Sequence, residues 1–191
     1  MKDGVIDAIT PGKVIVDCST LTPERMAEED TMVRELFLGF FRSNVQLCSW
    51  QITSKGGRFM DAPVSGSKGP AEAGSLVFLC SGEKKVYDEV QQALKAMGKA
   101  DFYFGAAGQG TKIKLLVNML MAANMSAFAE ALSLCKAAEL PSHDLLNVLG
   151  LSAIGCPMYQ AKGKAMITGD YSTAFPLKHA QKDMRCYFRT V

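Results

Sequence analysis

Gly108-Gln109-Gly110-Thr111-Lys112-Ile113-Lys114-Leu115-Leu116-Val117-Asn118 is the stretch at which the chain changes character. From Lys112 to Leu140 there is no Gly or Pro, and the segment is filled with Leu, Met and Ala, which are strong helix formers. One long helix is predicted. Pro141 stops it, Ser142 is placed to cap a short helix over Asp144 to Leu149, Pro157 can open another, and Pro176 precedes a last stretch, Leu177 to Val191. The pattern after Gly110 is helical throughout.

Upstream the pattern is different. Lys13-Val14-Ile15-Val16-Asp17 reads as a buried parallel strand ending in the polar turn Cys18-Ser19-Thr20. Thr22 can cap a following helix, with Pro23 at its first position. Further strands are predicted at Arg58 to Val64, Leu76 to Cys80 and Phe102 to Phe104, with Ser81 capping a helix from about Glu83 to Met97. Strands alternating with helices define an α/β unit. The expected division is therefore 1–107 as an α/β domain with a parallel sheet and 108–191 as an all-α domain, with the junction at Gly105 to Gly110. Both domains read as partial, because too few strands are found for a complete doubly wound sheet and the last helix has no Gly or Asn terminator.

Twenty-one Lys and Arg against nineteen Asp and Glu leave a formal charge of +2, so no net field draws the molecule to nucleic acid or an anionic membrane. Apolar runs such as Leu36 to Phe41 and Leu115 to Val117 fall far short of the roughly 20 residues a bilayer requires, and no membrane span is expected. Six scattered cysteines without a close pair read as reduced thiols. Neither His143 nor His179 has metal-ligand spacing to a cysteine or second histidine, so metal-free chemistry is expected.

Three segments hold residues that could carry chemistry. After the strand ending near Val64, Ser65 offers a hydroxyl, and Gly66 lets the backbone N–H groups of a small-residue loop approach an anion. Lys114 and Asn118, four apart, share one face of the long helix. A lysine in the first turns of a helix stands at the positive end of the dipole, which disfavours its charged form and suits it to giving up a proton. Near the end, Lys178 with Lys182 and His179 with Asp183 stand at helical i,i+4 spacing, and Asp183 can neutralise or orient a nearby lysine.

Five collinear strings carry a resemblance that reaches across most of the chain from Gly12 onward. They are Val16-Asp17-Cys18-Ser19-Thr20, Lys55-Gly56-Gly57-Arg58-Phe59, Ala62-Pro63-Val64-Ser65-Gly66-Ser67-Lys68, Gly108-x-Gly110-x3-Lys114-x3-Asn118 and the stretch from Phe175 to Arg185. In these the chain resembles the β-hydroxyacid dehydrogenase family, and in particular its glyoxylate/succinic semialdehyde reductase branch. The resemblance implies a Rossmann-type domain joined through a long helix to an all-α domain. It also implies hydride transfer from the reduced form of NADP, with NAD the alternative cofactor, to the aldehyde carbon of a small carboxylate substrate. Lys114 would donate the proton, with Asn118 positioning it or the substrate. Ser65 and Gly66 would hold the carboxylate, Thr20 would stand close to the nicotinamide or the substrate, and Phe175, Lys182 and Asp183 would close the site from the helical domain, with Lys182 near the cofactor. Association into a homo-oligomer through that domain is likewise implied.

Two departures from the family pattern bear on function. The sequence has no Gly-x-Gly-x-x-Gly turn, the element that receives a dinucleotide pyrophosphate at a helix N-terminus. Weakened cofactor binding and impaired turnover are expected. The other departure is an aromatic-rich insertion near 31–50, Leu36 to Trp50 at its centre, which has no evident place in the fold. Two alternative readings stay open: a 3-hydroxyisobutyrate-type NAD-dependent dehydrogenase, and a non-catalytic fragment that only associates with full-length subunits. A cytoplasmic setting is expected, with an organellar one open if a targeting segment precedes Met1.

Overall fold

A computed structural model describes residues 5–20 and 44–190. The capped helix expected at Thr22 and the Leu36 to Phe41 run lie outside the described residues. The chain divides into two compact units, Met1–Asn118 together with Leu177–Val191, and Met119–Pro176.

The first unit is built on a five-stranded sheet. Its strands are β1 (Val14–Asp17), β2 (Arg58–Asp61), β3 (Val64–Ser65), β4 (Leu76–Gly82) and β5 (Gly98–Tyr103). β1 runs parallel to β2, and β4 parallel to β5, while β4 pairs antiparallel with both β2 and β3. The expected Arg58 to Val64 strand is thus two pieces. Ala62 and Pro63 break it, although the Pro63 carbonyl still accepts a bond from the Leu79 N–H at 2.9 Å. The sheet is parallel-rich in the manner expected, with antiparallel pairs at its centre.

Packed with this sheet are α1 (Asn44–Ser54), α2 (Lys68–Glu72) and α3 (Lys84–Met97). The amphipathic α3 sends Val86, Tyr87 and Leu94 into a core with Met60, Phe78 and Cys80. A second cluster gathers Ile9, Ile52 and Phe59, with Cys48 packed against it. Cys48 and Ile52 are four apart on α1, so one face of this helix meets that cluster. The end of the supposed misfit, Asn44 to Trp50, therefore has a place after all. It forms the first two turns of a helix leading into β2.

A single helix, α4 (Gln109–Ala137), follows as the composition requires. By length and composition alone it could cross a membrane, with a mean hydropathy of 1.4. Counting unbroken runs missed this because Asn118, Asn124, Ser126 and Glu130 interrupt them. The hydrogen bonds of Thr111 and Asn118, given below, bind its first turns to other elements of the protein fold, and we read α4 as one of those elements.

In the second unit, α4 continues beside α5 (Ser142–Leu151) and α6 (Pro157–Thr168). Pro157 stands in the first turn of α6, where its missing N–H costs nothing, and Gly169 ends the helix in the left-handed conformation at φ 74°. Phe128, Leu132, Leu146 and Leu149 form the core, with Phe128 stacked on Tyr159 at 4.6 Å between ring centres. Gly163 allows this closeness, since a Cβ there would lie 2.4 Å from Leu146 Cδ2 and 2.8 Å from Phe128 Cζ. The last helix, α7 (Leu177–Thr190), belongs to the first unit.

Candidate active site

The face of α4 bearing Lys114 and Asn118 meets α7 through a buried polar pair. Asn118 Nδ2 donates to Asp183 Oδ2 at 2.6 Å, and these side chains are 3% and 2% exposed. The other Asp183 oxygen lies 3.1 Å from the Lys182 ammonium, an ion-pair distance without the alignment of a hydrogen bond. Lys182 in turn donates to the Thr20 carbonyl at 2.7 Å, beyond the end of β1. Thr20, Asn118, Lys182 and Asp183 are thus one connected group drawn from three distant segments.

Lys114 stands in the field of this group. Burial lowers its pKa from the usual 10.5; the nearby Asp183 carboxylate opposes the shift and the Lys182 ammonium adds to it. A depressed lysine pKa was expected from the helix dipole. The direction is the same, but desolvation is its principal cause. An amine held this way gives up its proton more readily than a solvated one, as a general acid must.

Ser65 lies on β3 opposite Val77, and Gly66 follows at φ 134°. A Cβ at Gly66 would meet Leu76 Cδ2 at 2.8 Å, so conformation and space both call for glycine. Among the described residues no hydrogen bond joins Ser65 or Gly66 to Lys114 or Asn118. Phe175 lies in the second unit and is exposed. Asp183 is buried beneath Asn118, so its observed partners are protein groups.

Sequence reading missed the polar group that fixes the start of α4. Asp61 ends β2 opposite Ser81 on β4, and its carboxylate accepts from Ser81 Oγ at 2.6 Å and the Gly108 N–H at 3.0 Å. It also accepts from the Thr111 N–H at 3.3 Å and Thr111 Oγ1 at 3.2 Å. Ser81 Oγ, while donating to Asp61, accepts from the Gly110 N–H at 2.8 Å. Ser81 therefore does not cap α3, whose N-cap is Glu83 without a side-chain bond. An Asp at a strand end followed by a Gly-x-Gly-Thr helix start was the available signal, but nothing local connects segments 47 residues apart.

The fold thus sets a lysine and an asparagine on one face of the long helix that follows the sheet. Residues 40–108 match the NAD binding domain of 6-phosphogluconate dehydrogenase, and residues 108–191 match the NAD-binding domain of NADP-dependent 3-hydroxyisobutyrate dehydrogenase. Over 184 residues, 96% of this chain, it is 43% identical to glyoxylate/succinic semialdehyde reductase 1 of Arabidopsis thaliana, covering 57% of that protein. It is equally similar to the chloroplastic reductase 2 of the same plant, covering 46% of it. The chain thus spans about half the length of these relatives. A 3-hydroxyisobutyrate dehydrogenase from Salmonella typhimurium has the same fold, with a TM-score of 0.81 at 21% identity over 100% of this chain and 60% of that one. The chain belongs to the β-hydroxyacid dehydrogenase family.

Proposed function

We propose that this chain is a reductase of a small aldehyde acid, glyoxylate or succinic semialdehyde, with NADPH as the cofactor. The observation that carries the reading is the half-buried Lys114, its pKa lowered, standing one turn before Asn118 on a face tied to Asp183 and Lys182. The relatives' names supply the substrate class, and the NADP-dependent family match supports the cofactor.

The residues fit the nicotinamide end of such a cofactor. Lys182 fastens the turn at Thr20, leaving a polar, half-buried position beyond β1. When bound, the reduced nicotinamide supplies the hydride. Lys114 gives a proton to the carbonyl oxygen as negative charge develops there. Asn118, its amide held by Asp183, orients the lysine or the substrate. Ser65 and the backbone at Gly66 hold the carboxylate. The sequence contains no Gly-x-Gly-x-x-Gly turn for the pyrophosphate, so we expect a high KM for NADPH and slow turnover.

NADPH consumption by the purified chain, with glyoxylate and with succinic semialdehyde, tests this. We expect slow reduction that Lys114→Ala lowers by about 100-fold or more. Turnover unaffected by Lys114→Ala overturns the reading. Faster oxidation of 3-hydroxyisobutyrate with NAD would favour the dehydrogenase alternative, and no turnover at any cofactor concentration a non-catalytic chain. We also propose a homo-oligomer joined through the helical unit, where Leu134 and Leu151 are 70% and 93% exposed. Light scattering on the eluting protein would give its mass. The six free cysteines support a reducing compartment such as the cytoplasm.

A further inference from the structure

The first turn of a helix presents backbone N–H groups that have no partner within the helix, and together they form its positive end. In α4 these groups do not face water. The Gly108 and Thr111 N–H groups and the Thr111 hydroxyl all donate to Asp61, and the Gly110 N–H donates to Ser81, which itself donates to Asp61. All four bonds that reach Asp61 are donated to it, so an ionised, acceptor-only carboxylate suits the position and an amide does not. The packing is equally restrictive. A Cβ on Gly110 would lie 2.0 Å from the Leu79 carbonyl oxygen, so the helix start rests directly on β4. Lys114 follows Thr111 by three residues, less than one turn.

We infer that Asp61, assisted by Ser81, is a positioning residue: it fastens the first turn of α4 to the sheet and so sets where the Lys114 amine stands. Among the described residues the hydrogen bonds of Asp61 go to Ser81, Gly108 and Thr111, so it acts on Lys114 through the helix backbone. The catalytic consequence rests on the reductase reading above, whereas the fastening does not. The carboxylate of Asp61 is 1% exposed and committed to these donors, which separates it from groups available to substrate.

Two measurements on the purified full chain test the inference without requiring turnover. One is amide hydrogen exchange of the segment 108–114; the other is competitive acetylation of Lys114 across pH, read by peptide mass. In Asp61→Asn, we expect the Gly110 and Thr111 amides to exchange about tenfold faster or more, while those of β2 and β4 keep their protection. Lys114 should then titrate closer to an ordinary lysine as its surroundings loosen. Thr111→Val should shift both readouts in the same direction, and Thr111→Ser should restore most of the change. If Asp61→Asn does not fold, Ser81→Ala and Thr111→Val decide. Where reduction is measurable, kcat should fall about 10- to 100-fold with KM for NADPH little changed. A Lys114 titration that stays at its wild-type position in these variants overturns the inference, as does a kcat loss without any change in exchange. Failure of the reductase reading shows separately, as turnover that survives Lys114→Ala.

Discussion

Burying an ammonium group costs stability that a solvated one does not, and Lys114 bears that cost. Its folded pKa lies below the unfolded value of 10.5, so between those two pH values the unfolded chain binds more protons than the folded one. Stability therefore rises with pH through that window, and the penalty is complete below the folded pKa. Lys114→Met removes the charge and keeps most of the volume. It should raise the melting temperature below the window, with the gain shrinking as pH approaches 10.5, while abolishing most reductase activity. An unchanged or lowered melting temperature across this range would show that the lysine is not held at a cost. The position of this residue was legible, since i,i+4 spacing places Lys114 and Asn118 on one face from sequence alone. Its environment was not, because Asp183 and Lys182 arrive from a helix more than sixty positions away. Asp61 was harder still: each of its partners is 20 to 50 residues distant, and no local pattern marks a carboxylate as the anchor of a remote helix.

At the scale of an element, the start of α4 depends on how closely its backbone meets β4. Gly110→Ala would put a methyl 2.0 Å from the Leu79 carbonyl oxygen, a backbone atom that cannot yield without moving the strand. The cost should be about 3 kcal/mol or more, the upper part of the usual overpacking range, measured by denaturant unfolding. Gly69→Ala in α2, where a Cβ meets nothing within 4 Å, should be neutral or stabilising by up to about 1 kcal/mol. Similar losses from both changes would mean that helix propensity, and not the close approach, governs Gly110. Sequence marked Gly108 and Gly110 as a junction because glycines punctuate it, yet contact with β4 is a tertiary fact. Strand direction was equally hidden. Apolar runs identify Leu76 to Cys80 as a strand, but only the register against Asp61 and Met60 makes it antiparallel to β2. α1 was misjudged because its Cys48 and Ile52 find their apolar neighbours Ile9 and Phe59 in other segments.

At the scale of the whole molecule, the six thiols report on both units at once. Cys80 lies in the sheet core with its pKa pushed up to about 12, first by burial and then by the Asp101 carboxylate, so almost no thiolate forms at neutral pH. Cys135, on α4 in the second unit, is buried with its thiol 3.5 Å from the Leu140 carbonyl, and Cys186 on α7 is buried as well. Cys18 is exposed beyond β1, while Cys48 and Cys156 are half-buried. Burial first and then the Asp17 carboxylate raise the pKa of both Cys18 and Cys48, which slows their attack without blocking it. A thiol reagent added to the native protein should therefore label Cys18, Cys48 and Cys156 over time and leave Cys80, Cys135 and Cys186 intact. In denaturant all six should react quickly. Mapping the labelled peptides during a denaturant titration would then separate the units, with Cys80 and Cys186 opening together and Cys135 reporting on the helical unit. Rapid native labelling of Cys80 would contradict the packing of the sheet core. Labelling of Cys186 at a denaturant concentration where Cys80 stays protected would show that α7 leaves the first unit before its sheet does.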